Sequence, residues 1–205
     1  MNKNFYQIKD QREDWAKKIE YRNDLLIVKG IKEKLFKRLN ELNIDLKDKR
    51  IVQLGCFGGY FIDIFLNLGV LVHAVDYSQT MINITRKRLS NQPFQYRLST
   101  IIRDFSILSD FAFDMVIAVT MLEHLPEHMA ERIIEDAKRL LKEKTGIFIF
   151  RLPLGKKHQT VKSTVHPHID YNIWTREELA KLAVKYRYHS IDIDDISIFY
   201  KGSNQ

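Results

Sequence analysis

Apolar positions along the chain recur at strand and helix spacings in regular alternation, after an initial helical stretch. In residues 12–43, apolar side chains recur three and four positions apart, which predicts an amphipathic helix with Gly30 as its one candidate break. Residues 50–54, with Ile51, Val52 and Leu54 as apolar positions, predict the first strand. The glycine-rich residues 55–59 then lead into a second helix, which we expect to extend through Leu68.

The alternation continues to the end of the chain. Further strands are predicted at 70–75, within 94–102, at 113–119 and at 147–150, and further helices at 78–89 with Ser78 as cap, from Pro126 to about Lys142, and near 175–185. The polar stretch 151–172 is expected to be a loop. Two β-rich runs, 190–193 and 196–200, predict a closing antiparallel hairpin.

Alternating strands and helices indicate an α/β fold, in which a mostly parallel sheet is covered by helices on both faces. A chain of 205 residues that is 45% hydrophobic is long enough for one sizeable core. We therefore expect a single domain, 1–205, with a helical preface or lid at 1–44 and a core at 45–201. Ligands bind such sheets at the carboxyl ends of the strands, so we expect the chemistry in the loops that follow them.

Composition narrows the class of protein. The single cysteine, Cys56, excludes an internal disulfide and a cysteine-based zinc site, which favours the cytoplasm. Residues 1–14 carry charges where a signal peptide is apolar, and no run approaches the length of a membrane span. The net charge of +7 is spread among acidic residues, so a nucleic-acid partner is an alternative and is not favoured. We expect a monomer or homodimer that acts on a small molecule away from membranes.

Two features together predict a nucleoside cofactor. Residues 55–59 include three glycines, which let a ligand approach the backbone closely. Asp76 follows the second strand, where a carboxylate accepts hydrogen bonds from both ribose hydroxyls of a nucleoside. Because Tyr60 and Phe61 follow the last of these glycines, no G-x-G-x-x-G motif can be written, which disfavours NAD.

With these residues the chain resembles the class I S-adenosylmethionine-dependent methyltransferases. Five segments match the family's motifs in order, at 51–61, 75–81, 103–105, 113–125 and 140–146, and 174–179 resembles the start of its last helix. The resemblance implies a doubly wound, Rossmann-like, mostly parallel seven-stranded sheet with a C-terminal antiparallel hairpin. It also implies S-adenosylmethionine as cofactor and methyl transfer as activity.

The resemblance assigns roles to single residues. Gly55 and Gly59 would line the methionine and ribose portions of the cofactor, and Asp76 would hold the ribose. Asp104 would accept from the adenine amino group beside Phe105. The full expected set of cofactor-binding residues is Gln53, Gly55, Cys56, Phe57, Gly59, Asp76, Tyr77, Met81, Asp104, Phe105 and Thr120, with Tyr77 and Met81 packing on the adenine ring.

Two positions depart from the family's pattern. Gln53 stands where the family has an acidic residue, so the charge that would help to orient the cofactor's amino group is missing. Phe57 stands where the family has a glycine, and its side chain blocks close approach unless Gly58 takes over. These departures keep a non-catalytic, cofactor- or partner-binding relative as an alternative.

Histidines are the candidate catalytic bases, because a hydroxyl acceptor must lose a proton and imidazole suits that task near neutral pH. The candidates are His124, after the fourth strand, and His166 and His168, after the fifth. Glu123 and His124 are also weak metal candidates, because they resemble part of the metal site of ubiquinone-type and small-RNA methyltransferases. Those enzymes carry a further glutamate where this chain has Thr120, so we expect no metal.

The favoured activity is O-methylation of a small polar acceptor. Residues 166–179 resemble methyltransferases of surface-glycan and natural-product pathways, which indicates a sugar or sugar-like metabolite. An RNA methyltransferase is the alternative, motivated by the positive net charge and by the likeness of Glu123 and His124 to small-RNA enzymes.

Overall fold

The computed structural model describes residues 21–91, 98–102, 105–119, 121–162 and 170–202. The α-helices are α1 (Tyr21–Glu41), α2 (Ile62–Asn67), α3 (Gln79–Leu89), α4 (Glu127–Leu140) and α5 (Arg176–Lys185). The strands are β1 (Arg50–Leu54), β2 (Leu71–Val75), β3 (Leu98–Ile102), β4 (Met115–Ala118), β5 (Ile147–Arg151), β6 (Gln159–Lys162), β7 (Asp170–Ile173), β8 (Ser190–Asp192) and β9 (Ile196–Tyr200). Short 3₁₀ turns occupy Phe57–Gly59, Phe105–Ile107 and Leu122–His124.

Seven strands form one sheet in the order β3-β2-β1-β4-β5-β9-β8. The pairs β2–β3, β1–β4 and β4–β5 are parallel, whereas β9 runs antiparallel to both β5 and β8. The strand order extends outward from β1 in both directions, which is the doubly wound arrangement. The predicted fold class and its closing antiparallel hairpin are confirmed.

The chain divides into two compact units. One comprises Met1–Asp48 with Gly55–Ser106, and the other comprises Lys49–Leu54 with Ile107–Gln205. Compact units of one chain need not fold independently, so the single-domain organisation stays a prediction. None of the helices within the described ranges is long and apolar enough to cross a membrane.

In the first unit, α1 and α2 pack through their apolar residues. Leu35 and Leu39 of α1 are fully buried, and the ring of Phe36 lies 5.9 Å from that of Phe65 in α2. The Ser78 side chain accepts a hydrogen bond from the backbone N–H of Met81, which satisfies a free donor at the start of α3. The predicted cap at Ser78 is confirmed.

In the second unit, β4 and β5 are buried along most of their length, and aromatic side chains fill the space beside them. The rings of Phe148 and Phe150 stack at 4.7 Å, and Phe199 meets Phe150 edge-on at 4.8 Å. Helix α5 begins with a capping box, in which Thr175 and Glu178 satisfy each other's backbone N–H groups. These contacts hold β5 and β9 in place beside β4, the strand that His124 follows.

Two expectations about local structure were wrong, and a third was confirmed. Gly30 does not break α1, because one glycine is tolerated where its neighbours favour helix. The helix expected after the glycine-rich turn is present at residues 62–67 with Leu68 as its C-cap, and a short 3₁₀ turn at 57–59 precedes it. The polar stretch 151–172 contains β6 and β7, which pair antiparallel. Their side chains are mostly exposed, so the strands lack the alternating burial that sequence patterns detect.

Candidate functional site

The turn after β1 is shaped by residues with left-handed backbone. Gly55, Gly58 and Gly59 have φ angles of 69°, 67° and 80°, and Phe57 between them has φ 40°. A Cβ atom on Gly59 would lie 3.1 Å from Cγ2 of Thr85 in α3. The turn therefore requires glycine at residue 59 both for its φ angle and for the space beside α3.

The Asp76 carboxylate, directly after β2, is tied to this turn by backbone hydrogen bonds. Its Oδ2 accepts from the N–H of Phe57 at 3.1 Å, and its Oδ1 accepts from the N–H of Ser78 at 2.9 Å. The backbone N–H of Cys56 donates to the carbonyl of Val75 at 2.9 Å. The structure thus brings together the glycine turn and the acid that the sequence singled out.

Phe57 adopts a conformation that is uncommon for a bulky side chain. A positive φ at a non-glycine residue is strained, and such strain occurs preferentially at functional sites. The hydrogen bond from its N–H to Asp76 holds the residue in this conformation. The polypeptide therefore keeps the left-handed turn despite the substitution, with Gly58 and Gly59 following in the same region.

The other predicted residues of this loop region differ in their surroundings. The Cys56 side chain is buried, with Sγ 3.3 Å from Oγ1 of Thr85, and burial together with the charge of Asp76 raises the pKa of the thiol to about 12. It is therefore a structural thiol and not a nucleophile. Tyr77 is partly exposed, and Met81 is buried in the first turn of α3.

Gln53, in the second unit, is a fully buried polar residue near the carboxyl end of β1. Among the described residues, neither its amide nitrogen nor its amide oxygen has a hydrogen-bond partner. An unpaired buried amide is costly, so such a group indicates a ligand or water that satisfies it. The side chain fits a site for a polar ligand group, and its lack of charge sets it apart from the family's acid.

The turn after β4, residues 121–125, presents His124. Its neighbours Met121, Leu122, Glu123 and Leu125 are all buried, whereas His124 is partly exposed. Backbone hydrogen bonds within the turn, from His124 to Met121 and from Leu125 to Leu122, are both 3.1 Å long. His124 is therefore the most exposed residue of this turn.

An ion pair holds the side chain of Glu123, which is part of this turn. Oε1 of Glu123 accepts from Nη1 of Arg151 at 3.0 Å, and Nε of Arg151 lies 3.4 Å from Oδ1 of Asp195. Because the Arg151 guanidinium pairs with this carboxylate, Glu123 offers less negative charge to a divalent metal ion. No group of three or more metal-ligating side chains occurs in the ranges that the structure describes. The expected absence of a metal stays a prediction.

Several predicted site residues lie outside the described residues. These are Asp104, Thr120, His166 and His168. Phe105 begins a 3₁₀ turn after β3, and only its backbone is described. Their roles stay predictions.

Sequence reasoning did not find two residues that contact the His124 turn. Arg151 ends the apolar strand β5, and a charged residue at the carboxyl end of a buried strand was a signal that could have pointed to it. Asn172 donates from Nδ2 to the carbonyl of Leu125 at 2.6 Å. Nothing in the polar stretch around Asn172 distinguishes it from its neighbours.

Comparisons with known proteins agree with this geometry. Residues 51–144 match a family described as a methyltransferase domain. The ubiquinone biosynthesis O-methyltransferase of Coxiella burnetii is 26% identical over 141 residues, which is 68% of this chain and 57% of that protein. Its counterpart in Xanthomonas oryzae pv. oryzae is 31% identical over 111 residues, or 53% of this chain and 45% of that protein. The chain thus spans about half the length of these relatives.

Solved structures share the fold at low sequence identity. The 1,6-didemethyltoxoflavin-N1-methyltransferase of Burkholderia thailandensis, solved with S-adenosylhomocysteine, aligns with a TM-score of 0.68 at 15% identity, over 99% of this chain and 92% of that chain. A glycopeptide N-methyltransferase complexed with sinefungin aligns with a TM-score of 0.60 at 15% identity, over 81% and 83%. Residues 51–144 thus form a methyltransferase domain, and the chain has the fold of the class I S-adenosylmethionine-dependent methyltransferases.

Proposed function

We propose that this chain transfers the methyl group of S-adenosylmethionine to a hydroxyl oxygen of a small polar acceptor. The observation that carries the proposal is the glycine turn whose backbone is tied to Asp76, because this arrangement matches the nucleoside site that the sequence predicts. The relatives named O-methyltransferases support oxygen as the methylated atom.

The first unit would hold the adenosyl part of the cofactor. A carboxylate has about four acceptor positions, so Asp76 can accept from ribose hydroxyls in addition to the two backbone N–H groups. Because those N–H groups fix both oxygens, the carboxylate is oriented before a ligand arrives, which lowers the entropy cost of binding. We assign adenine packing to Tyr77 and Met81. Gln53, in the second unit, is our candidate for a polar contact with another part of the cofactor.

The second unit would act on the acceptor. The cofactor supplies an activated methyl group, so the chain has to align the acceptor oxygen and remove its proton. His124 is the partly exposed residue in an otherwise buried turn, and we assign it the role of general base. His166 and His168 are the second choices for this role.

The acceptor class is the finer part of the proposal. A sugar or sugar-like metabolite is supported by the sequence of residues 166–179 alone. A phenolic hydroxyl is the second candidate, and it is favoured by the relatives named for ubiquinone biosynthesis. Because the chain covers only about half the length of those relatives, their acceptor is a second candidate here.

The experiment is a methyl-transfer assay with labelled S-adenosylmethionine and three probes: catechol, a methyl glycoside and a short single-stranded RNA. We expect label in one of the first two, with no loss of binding at raised salt. Transfer to the RNA, with binding that falls steeply as salt increases, would replace this proposal with the RNA alternative. Cofactor binding measured by calorimetry without transfer to any acceptor would support a non-catalytic relative.

A further inference from the structure

The turn that carries His124 is held by contacts from segments far away in sequence. Arg151, at the end of β5, binds Glu123, which lies 28 residues earlier. Asn172, in β7, binds the carbonyl of Leu125, which lies 47 residues earlier. The two contacts reach the residues immediately before and after His124, so they fix both neighbours of the candidate base.

Each contact is built to be rigid. The Glu123 side chain is 4% exposed, and Asp195, from the segment between β8 and β9, places a carboxylate oxygen 3.4 Å from Nε of its partner Arg151 as a second ion pair. Asn172 is buried, and its Oδ1 accepts from Oγ1 of Thr160 in β6 at 2.7 Å, which leaves Nδ2 oriented toward Leu125. An amide whose two polar atoms are both hydrogen-bonded, and a guanidinium that lies between two carboxylates, lose little freedom when they hold the turn.

We propose that Arg151 and Asn172 are positioning residues for His124. They act by fixing Glu123 and Leu125, and through them the backbone on which the imidazole stands. This inference rests on the proposed function, because it takes His124 as the general base. Misplacing a catalytic group by about 1 Å can lower turnover roughly a hundredfold, so such anchoring is a requirement for proton removal.

The test compares Asn172→Asp, Arg151→Gln and Arg151→Lys in the full chain. Asn172→Asp replaces the amide donor by a carboxylate that repels the carbonyl of Leu125. Arg151→Gln removes the cation from the buried Glu123, whereas Arg151→Lys keeps it. Asn67→Asp and Arg132→Gln are matched controls, since both residues are exposed and lie outside the turn.

Hydrogen exchange in the peptide covering residues 121–125 is the first readout. We expect it to accelerate about tenfold or more in Asn172→Asp and Arg151→Gln, and to stay near the wild-type rate in Arg151→Lys and both controls. Affinity for S-adenosylhomocysteine, measured by calorimetry, is expected to stay within about twofold of wild type, which would also show that the variants fold. Unchanged exchange in both Asn172→Asp and Arg151→Gln would overturn the inference.

Turnover on the hydroxyl probe that wild type methylates is the second readout. We expect kcat to fall about 10- to 100-fold in Asn172→Asp and Arg151→Gln with KM changed less, and Arg151→Lys to recover most of it. Faster exchange with undiminished kcat would overturn the inference while leaving the proposed function intact. A wild type that methylates no probe would remove the proposed function, and the exchange data would still decide whether these residues hold the turn.

Discussion

The turn at residues 55–59 and the turn at residues 121–125 each follow a parallel strand, and they are held in different ways. The first is shaped by its own backbone, with left-handed φ angles at glycines, and by one carboxylate from the next strand. The second has no glycine, and side chains from β5 and β7 hold it in place. The first turn is therefore a property of a short segment, whereas the second depends on the assembled unit.

This difference suits the two tasks that we assign to them. A nucleoside presents the same groups to every protein that binds it, so backbone N–H groups and one carboxylate can serve it. An acceptor differs between enzymes, and side chains are the part of the polypeptide that can change without altering the fold. Four changes test the comparison, from the largest expected effect to the smallest.

Removal of the imidazole at residue 124 tests the turn at residues 121–125, to which we assign the methyl acceptor. We expect His124→Ala to lower kcat by about 10² to 10⁴ with cofactor affinity nearly unchanged, because the imidazole acts on the acceptor. His166→Ala and His168→Ala are expected to cost less. Steady-state kinetics give kcat, and calorimetry gives the affinity for the cofactor. A variant that has lost only the base loses kcat alone, whereas one whose site is unfolded loses both. A severe effect at His166 or His168 with a mild one at His124 would move the base to that segment.

Removal of the Asp76 carboxylate tests the turn at residues 55–59, to which we assign the cofactor. Losing a charged hydrogen-bond partner costs about 1.5 to 3 kcal/mol, so we expect S-adenosylmethionine to bind Asp76→Ala roughly one to two decades more weakly. Asp63→Ala is the control, because Asp63 lies in the same unit and pairs with Lys32 and Arg88 at a distance of 3.5 Å or more. Calorimetry on both variants gives the answer, and equal affinity in wild type and Asp76→Ala would disprove this assignment.

Two glycine substitutions test whether backbone geometry holds the first turn. Gly59→Ala places a Cβ where φ is 80° and Thr85 is 3.1 Å away, so we expect the free energy of unfolding to fall by about 1 to 2 kcal/mol. Gly30→Ala lies inside α1, where a Cβ meets nothing within 4 Å, and is expected to raise it by about 0.5 to 1 kcal/mol. Denaturant unfolding measures both. Equal effects would mean that the turn does not depend on its left-handed residues.

Chelation tests whether methyl transfer needs a metal ion at Glu123, where Arg151 forms an ion pair. Because Arg151 already neutralises this carboxylate, we expect excess EDTA to leave methyl transfer unchanged. The rate is measured with EDTA and again after magnesium is restored. Full loss with EDTA and full recovery with magnesium would show that a metal takes part despite the guanidinium.

The sequence by itself determined the order of the helices and of the strands of the seven-stranded sheet, the glycine turn, the position of Asp76 directly after β2 and the cap at Ser78. All of these depend on local rules: apolar periodicity, the backbone freedom of glycine and the bonding of a hydroxyl to a nearby N–H. Even Phe57, which departs from the family's pattern, keeps the left-handed turn that its neighbours require.

Only the tertiary structure showed what surrounds His124. The contacts of Arg151 and Asn172 join residues 28 and 47 positions apart, and no periodicity or motif links such positions. Strands β6 and β7 were missed for a related reason, because exposed strands pair through their backbone and leave little hydrophobic pattern. Local sequence could therefore indicate the glycine turn and Asp76, where we propose that the nucleoside binds, whereas the support of the His124 turn was decided by side chains that meet only after folding.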